Sequence, residues 1–220
     1  MPVLEAQELY RFFHVGSDEV KALRGVHLSL DEGEMIALVG PSGSGKSTLL
    51  HCLAGLDEPD GGSVHVMGQP LSRQPEVEKL RLRSQFMGVM RQKDNLFPHL
   101  TIADNVALAQ SLAGKQASNE AKAIFARIGI SDRTQFLPAQ LSGGERARAG
   151  FAVALACSPK ILLLDEPTGE VDADTETAIL HLLNEYQRSG GSVVVATHNP
   201  AVARQATQTL SMKDGKVLHD

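Results

Sequence analysis

The spacing of apolar and polar positions changes several times along the chain, and each change predicts an element. Val26, Leu28 and Leu30 alternate with His27 and Ser29, the period of a half-buried strand, which predicts a strand over Arg24 to Leu30. Leu4 to Phe13 reads as an earlier strand, joined to it by a polar turn around Gly16-Ser17-Asp18-Glu19. Gly33 interrupts the pattern before the apolar run Met35 to Val39, a further strand. Ile161 to Leu164 and Ser192 to Ala196 are apolar without alternation, as in parallel strands covered on both faces. Short strands are expected at Ser63 to Met67 and Phe86 to Met90, with a closing hairpin turning at Lys213-Asp214-Gly215-Lys216.

Between these runs the period lengthens to that of a helix. Leu49 to Ala54 and the polar stretch Gln74 to Arg83 read as helices. Thr101, with Asp104 three residues on, starts another that carries Ile102, Val106 and Ala109 on one face. After a break at Gly114 to Ser118, Ala121, Ile124, Phe125 and Ile128 recur at helical spacing. Ala147, Gly150, Phe151, Ala154 and Leu155 stripe the next helix, and Ile179, Leu182, Leu183 and Tyr186 the one over Asp172 to Arg188. A short helix at Pro200 to Gln205 precedes the closing hairpin. The pattern predicts an α/β chain with a small β-layer at its start and an all-helical block inserted between Arg91 and Gln140.

Composition narrows the class. The 220 residues are 42% hydrophobic and 21% charged, ordinary for a globular protein. No apolar run is long enough to span a bilayer, and Met1 to Tyr10 lacks a signal-peptide pattern, so a cytosolic location is expected. A formal net charge of −5 argues against nucleic acid as a partner. Cys52 and Cys157 sit in apolar helical patterns and are expected to be small core residues.

The chemistry concentrates in Gly40-Pro41-Ser42-Gly43-Ser44-Gly45-Lys46-Ser47-Thr48, placed between a strand and a helix. This is the context a phosphate loop requires. Glycines let successive N–H groups point at phosphate oxygens, and the helix adds its positive end. Lys46 reaches the β- and γ-phosphates and the Ser47 hydroxyl ligates Mg²⁺.

Asp165 and Glu166 end an apolar strand, where α/β sheets present catalytic groups. Asp165 is the expected Mg²⁺ partner of the loop, and Glu166 the group that orients or deprotonates the attacking water. His198, at the end of the next strand, either hydrogen-bonds the γ-phosphate or is structural. Leu141-Ser142-Gly143-Gly144-Glu145 fits a capping box. Two glycines weaken a first helical turn, however, while exposing N–H groups to a second phosphate. Two phosphate-facing helix starts in one chain suit a protein that holds ATP between two copies of itself.

These stretches resemble the ATP-binding cassette ATPases over essentially the whole chain. The marks in order are Gly40–Thr48 (Walker A), Gln92, Leu141–Glu145 (signature), Ile161–Glu166 (Walker B), Asp172 and His198. The resemblance implies a P-loop NTPase (RecA-like) core with an N-terminal antiparallel β-layer and an inserted helical subdomain. Residues 1–91 and 156–220 would form the core and residues 92–155 the helical part. It also implies an ATPase that uses ATP and Mg²⁺. Phe13, with Tyr10 or Phe12 as alternatives, would stack on adenine, or else be a core aromatic. Gln92 would contact Mg²⁺ and the attacking water. Ser142, Gly143 and Gly144 would close on the γ-phosphate held by a second copy. Asp172 would communicate across that dimer while capping its own helix.

Gly55-Leu56-Asp57-Glu58-Pro59 and the segment Asp94 to Thr101 resemble the lipoprotein-release and macrolide-export group. That group serves integral membrane permeases of the FtsX-like kind, which implies attachment to the cytoplasmic face of the inner or plasma membrane. Arg91, Val153 and Glu170-Val171 depart from the usual pattern, the first and last beside segments that couple to partners. A rival reading is a cassette ATPase acting on DNA, ribosomes or envelope assembly. The DNA type needs a long coiled coil between Walker A and the signature, and no sustained heptads occur there. A metabolic phosphotransferase would have no use for Ser142-Gly143-Gly144.

Overall fold

The computed structural model describes all residues except 17, 116–118, 170 and 219–220. Ser17 of the expected first turn, part of the Gly114–Ser118 break and Glu170 therefore lie outside the described residues. In chain order the strands and helices are β1 (Leu4–Val15), β2 (Asp18–Leu30), β3 (Met35–Val39), α1 (Lys46–Leu53), β4 (Gly61–Val66), β5 (Gln69–Pro70), α2 (Glu76–Phe86) and β6 (Met87–Met90). There follow α3 (Ile102–Leu112), α4 (Asn119–Arg127), α5 (Gly143–Leu155), β7 (Ile161–Asp165), α6 (Ala173–Arg188), β8 (Ser192–Ala196), α7 (Pro200–Ala203), β9 (Gln208–Lys213) and β10 (Lys216–Leu218).

Two sheets form. The smaller runs β2-β1-β4-β5 and is antiparallel; the larger runs β10-β9-β3-β8-β7-β6 and is parallel except for its terminal hairpin. Strand alternation splits the apolar residues of the large sheet between two cores. Ile36, Leu38, Ile161, Leu163, Val194 and Ala196 face α1 and the small sheet, which supplies Leu4, Leu9, Leu23 and Leu30. Met35, Ala37, Leu162, Leu164, Val193 and Val195 face the other way, onto α3, α5 and α6. This explains why β3, β7 and β8 read as unbroken apolar runs: both faces are covered. Every residue of β7 and β8 is buried.

The structure shows the expected α/β class, β-layer and helical block, and moves some boundaries. Asp18 and Glu19 belong to β2 rather than to a turn, because β1 and β2 pair as far as Val15 opposite Asp18. The helix expected from Gln74 starts at Glu76, since Pro75 sits at its N-cap with an extended backbone and no N–H. Phe86 ends that helix instead of starting β6. Cys52 is buried in the core, which pushes its thiol up to about 12, chiefly through loss of hydration. Cys157, just past the end of α5, is half-buried against the second core, with Sγ donating to Ala109 O at 3.4 Å; both thiols are free, as expected. The pairing of β9 beside β3 carries little local signal, because half of β9 is exposed and only Leu210 and Met212 reach the core.

Candidate functional site

Parallel register brings the chemistry together. Leu38 pairs with Ala196, and Asp165 with the same residue, so the carboxyl ends of β3, β7 and β8 lie side by side. The chain leaves these ends into Gly40, Glu166 and Thr197-His198, and the neighbouring β6 leads to Gln92. This is the crevice at which open α/β sheets carry their ligands.

The loop Gly40–Lys46 is shaped by close approach. At Gly45 the backbone has φ +102°, and a Cβ there would lie 2.4 Å from the Ala22 carbonyl oxygen. At Gly40 a Cβ would lie 2.2 Å from Met212 O. The loop thus threads between β2 and the closing hairpin, whose Gly215 N–H donates to Ser44 O at 3.1 Å. Helix α1 has no side-chain cap, so its first N–H groups remain open toward the loop. By contrast α3, α5 and α6 are capped by Thr101, Ser142 and Asp172. Ser44 Oγ is buried and without a hydrogen-bond partner. An uncapped helix start beside an orphaned hydroxyl fits a polyanionic phosphate. Lys46 Nζ donates to Gly40 O at 2.8 Å and Pro41 O at 3.0 Å, which holds the ammonium over the loop.

Asp165 is almost fully buried. Burial pushes its carboxyl above the usual range; the Ser47 hydroxyl and Lys46 pull it back and Glu166 adds to the push. A carboxylate so placed beside a hydroxyl suits a divalent cation, whose charge would reverse that balance. Glu166 stands on a left-handed backbone with φ +49°, a conformation costing a non-glycine residue about 1–3 kcal/mol. Its N–H donates to Ala196 O at 2.9 Å, and its Oε2 lies 2.9 Å from His198 Nδ1 and accepts the His198 N–H at 3.3 Å.

Two cavities flank this group. One of about 1080 Å³ is lined by Phe13, Gly40–Gly43, Gly45–Thr48, Gln92, Asp165, Glu166 and His198. The other, of about 690 Å³, is lined by Gln92, Glu166 and His198 together with Asn95, Gly143 and Arg146. Phe13 reaches the first cavity with Arg11 stacked 4.7 Å from its ring centre. Tyr10 instead packs against Gly61 and Gly25, and neither it nor Phe12 lines that cavity.

The signature turn takes part elsewhere. Ser142 and Glu145 form a full capping box, with N–H to side-chain distances of 2.9 and 3.2 Å, and Arg133 Nε donates to Glu145 Oε1 at 2.8 Å. Gly143 borders only the smaller cavity, while Ser142 and Gly144 border neither. Gly144 lies against Thr175, which ties Asp172 to Arg148: Thr175 Oγ1 donates to Asp172 Oδ2 at 3.0 Å and accepts from Arg148 Nη1 at 2.9 Å. The Thr175 N–H, donating to Asp172 Oδ1, holds the aspartate below the usual carboxylate range. Sequence reasoning missed Asn95, Arg148 and Thr175. Each is a single polar residue in a helix or loop, with nothing local to mark it.

A family model described as ABC transporter matches residues 23–169. Among curated relatives, the macrolide export ATP-binding/permease protein MacB of Shigella flexneri is 36% identical over 222 aligned residues, covering 100% of this chain and 34% of the relative. Its counterpart from Chlorobium luteolum is 39% identical over 221, covering 100% and 33%. The chain therefore spans about a third of the length of these relatives. Among solved structures, the dimeric bacterial ABC transporter cassette MJ0796 superposes with a TM-score of 0.93 at 33% identity, over 98% of this chain and 97% of that one. A post-hydrolysis dimer of the same cassette, bound to ADP and Pi, gives 0.93 at 32% identity with the same coverage. The chain belongs to the ABC transporter family and is one of its ATP-binding cassettes, an ATPase by class. Its P-loop core, β-layer and helical block are those of the cassette fold.

Proposed function

We propose that this chain hydrolyses ATP as the nucleotide-binding subunit of a membrane transport or mechanotransmission complex, two copies closing head to tail around two ATP molecules. One observation carries the reading. Gln92, Glu166 and His198 line the phosphate-loop cavity, whereas Ser142, Gly143 and Gly144 do not; of the three only Gly143 borders the smaller, adjoining cavity. A signature turn that is fully built but does not line the cavity of its own phosphate loop has a use when it meets the loop of a second copy. The dimeric MJ0796 cassette, alike in fold and in length, supports the same arrangement.

In this reading the N–H groups of Gly40 to Thr48 and Lys46 bind the phosphates, and Phe13 stacks on adenine. Ser47, Asp165 and Gln92 would hold Mg²⁺, which neutralises charge on the transferring phosphoryl group. Glu166 takes up a proton from the attacking water, and His198 holds the Glu166 carboxylate in place. Ser142, Gly143 and Gly144 of the second copy donate to the γ-phosphate, and Asp172 conveys closure between copies. Catalysis is then positioning plus electrostatic stabilisation. Residues 1–91 and 156–220 act as the core and residues 92–155 as the arm that engages the membrane partner.

That partner we take to be an integral permease of the FtsX-like kind, reached from the cytoplasmic face. The curated relatives join ATP binding and permease in one name, and this chain matches the cassette-sized third of them. Among the described residues no helix is long and apolar enough to cross a membrane, so the span must come from elsewhere. Tagged Glu166→Gln protein is captured with ATP from detergent-solubilised membranes and its companions read by mass spectrometry. A stoichiometric permease is the expected result. Ribosomal, DNA-associated or envelope proteins without a permease would overturn the transport reading.

A further inference from the structure

The chain leaves β6 at Met90 and reaches Asn95 through Arg91, Gln92, Lys93 and Asp94. Among the described residues no strand pairs with this stretch, yet both main-chain polar groups of Arg91 are satisfied by one side chain. The Arg91 N–H donates to Asn95 Oδ1 at 2.7 Å, and Asn95 Nδ2 donates to Arg91 O at 2.6 Å. The carboxamide serves as the neighbouring strand that the loop lacks, and closes the turn that carries Gln92. Only a group with one acceptor and one donor at this reach does so. Aspartate would set an acceptor against the Arg91 carbonyl, and alanine would lose both bonds.

The same residue rests on the signature helix. A Cβ built on Gly150 of α5 would lie 3.1 Å from Asn95 Cβ and 3.6 Å from its Nδ2. Gly150 is buried and sits two turns along the helix that Ser142 caps. A second asparagine secures the far side of the segment. Buried Asn105 of α3 accepts the Phe97 N–H at 2.7 Å and donates to the carbonyls of Phe97, Leu100 and Thr101 at 2.9 to 3.2 Å. The loop bearing Gln92 is thus held between two amide clamps, and the nearer one lies in contact with α5.

We propose that Asn95 is a positioning residue for Gln92, fixing its loop against the signature helix so that the glutamine is held at the cavity it shares with Glu166 and His198. This rests on the reading of Gln92 as a residue of the hydrolytic site. A displacement of the order of an ångström in a positioned group costs up to about 10²-fold in rate. Asn95→Ala should lower kcat by about tenfold or more on that scale, with the affinity for a non-hydrolysable ATP analogue changed by less than about twofold.

The test is a double-mutant cycle in the purified protein, because residues that act through one another are not additive. Gln92→Ala, Asn95→Ala and the double variant are compared for kcat, for the Mg²⁺ concentration at half-activity and for thermal midpoint. Asn95→Ala is expected to lower kcat in the native background, to raise the Mg²⁺ requirement, and to add nothing once Gln92 is gone. An equal fall in kcat in both backgrounds, or no fall in the native one, overturns the proposal. A Gln92→Ala variant with native kcat removes the reading of Gln92, and the proposal falls with it. Should Asn95→Ala unfold, Asn95→Asp and Gly150→Ala enter the same cycle, judged by the same outcomes.

Discussion

Glu166 Oε2 receives the backbone N–H of residue 198 and lies 2.9 Å from His198 Nδ1, so the end of β8 holds the carboxylate that ends β7 by main chain and side chain together. Glu166 is largely sheltered while the His198 ring is mostly exposed, which accords with the proposed roles of the histidine as support and the glutamate as base. Glu166→Gln is expected to keep nucleotide affinity, to lose roughly 10²- to 10³-fold in hydrolysis, and to accumulate as an ATP-bound dimer on gel filtration. Hydrolysis at the native rate would refute the assignment of Glu166. His198→Ala should show a smaller fall in kcat than Glu166→Gln, with ATP affinity preserved.

Lys46 Nζ donates to the loop's own carbonyls, at 2.8 and 3.0 Å from Gly40 O and Pro41 O. In the proposed reading its charge is the loop's main attraction for a polyphosphate. Lys46→Ala should abolish ATP binding measured by calorimetry while leaving the thermal midpoint near native. Retained affinity would show that the N–H groups suffice.

Gly144 has no room for a side chain: a Cβ would lie 2.5 Å from Thr175 Oγ1 and 3.1 Å from Asp172 Oδ2. Gly144→Ala must push Thr175 away and loosen its bonds to Asp172 and Arg148. A loss of about 1–3 kcal/mol in urea unfolding is expected, the usual cost of overpacking. Thr175→Ser combined with Gly144→Ala should recover little, since the clash is with the hydroxyl itself.

Glu145 gives a pH dependence. The Arg133 guanidinium, followed by the N–H and hydroxyl of Ser142, holds its carboxyl down at about 2. A glutamate in an unfolded chain titrates near 4.3 on average, so the folded state binds its proton later than the unfolded one. The stabilisation is complete above the unfolded value and is lost as pH falls through about 2. Native protein should therefore lose stability on acidification through this window more steeply than Glu145→Gln, followed by denaturant midpoint against pH. Parallel curves would show that the ion pair and cap contribute nothing.

Local chemistry made much of this protein legible from its residues. The phosphate loop is marked because glycine, lysine and serine are needed at fixed spacing. The caps at Thr101, Ser142 and Asp172 are marked because an N-cap bonds a backbone N–H three residues on. The core strands are marked by apolar runs that only a sheet covered on both faces tolerates. Such signals survive in one dimension because cause and effect lie within one element.

What tertiary structure alone decided is how distant elements meet. The choice of Phe13 over Tyr10 at the cavity depends on where β1 bends past β2 and β4, whose register with it shifts at several points. The need for glycine at 40 and 45 comes from carbonyls of Met212 and Ala22, far away in the chain. Asn95 against Gly150, and Thr175 between Asp172 and Arg148, are contacts between separate helices and loops. The closing hairpin joins the large sheet at β3 through backbone pairing, which leaves little mark on side-chain pattern. The sequence by itself determined the chemistry and the elements that carry it; packing determined their company, because contacts between distant residues arise only when the two cores close around one sheet.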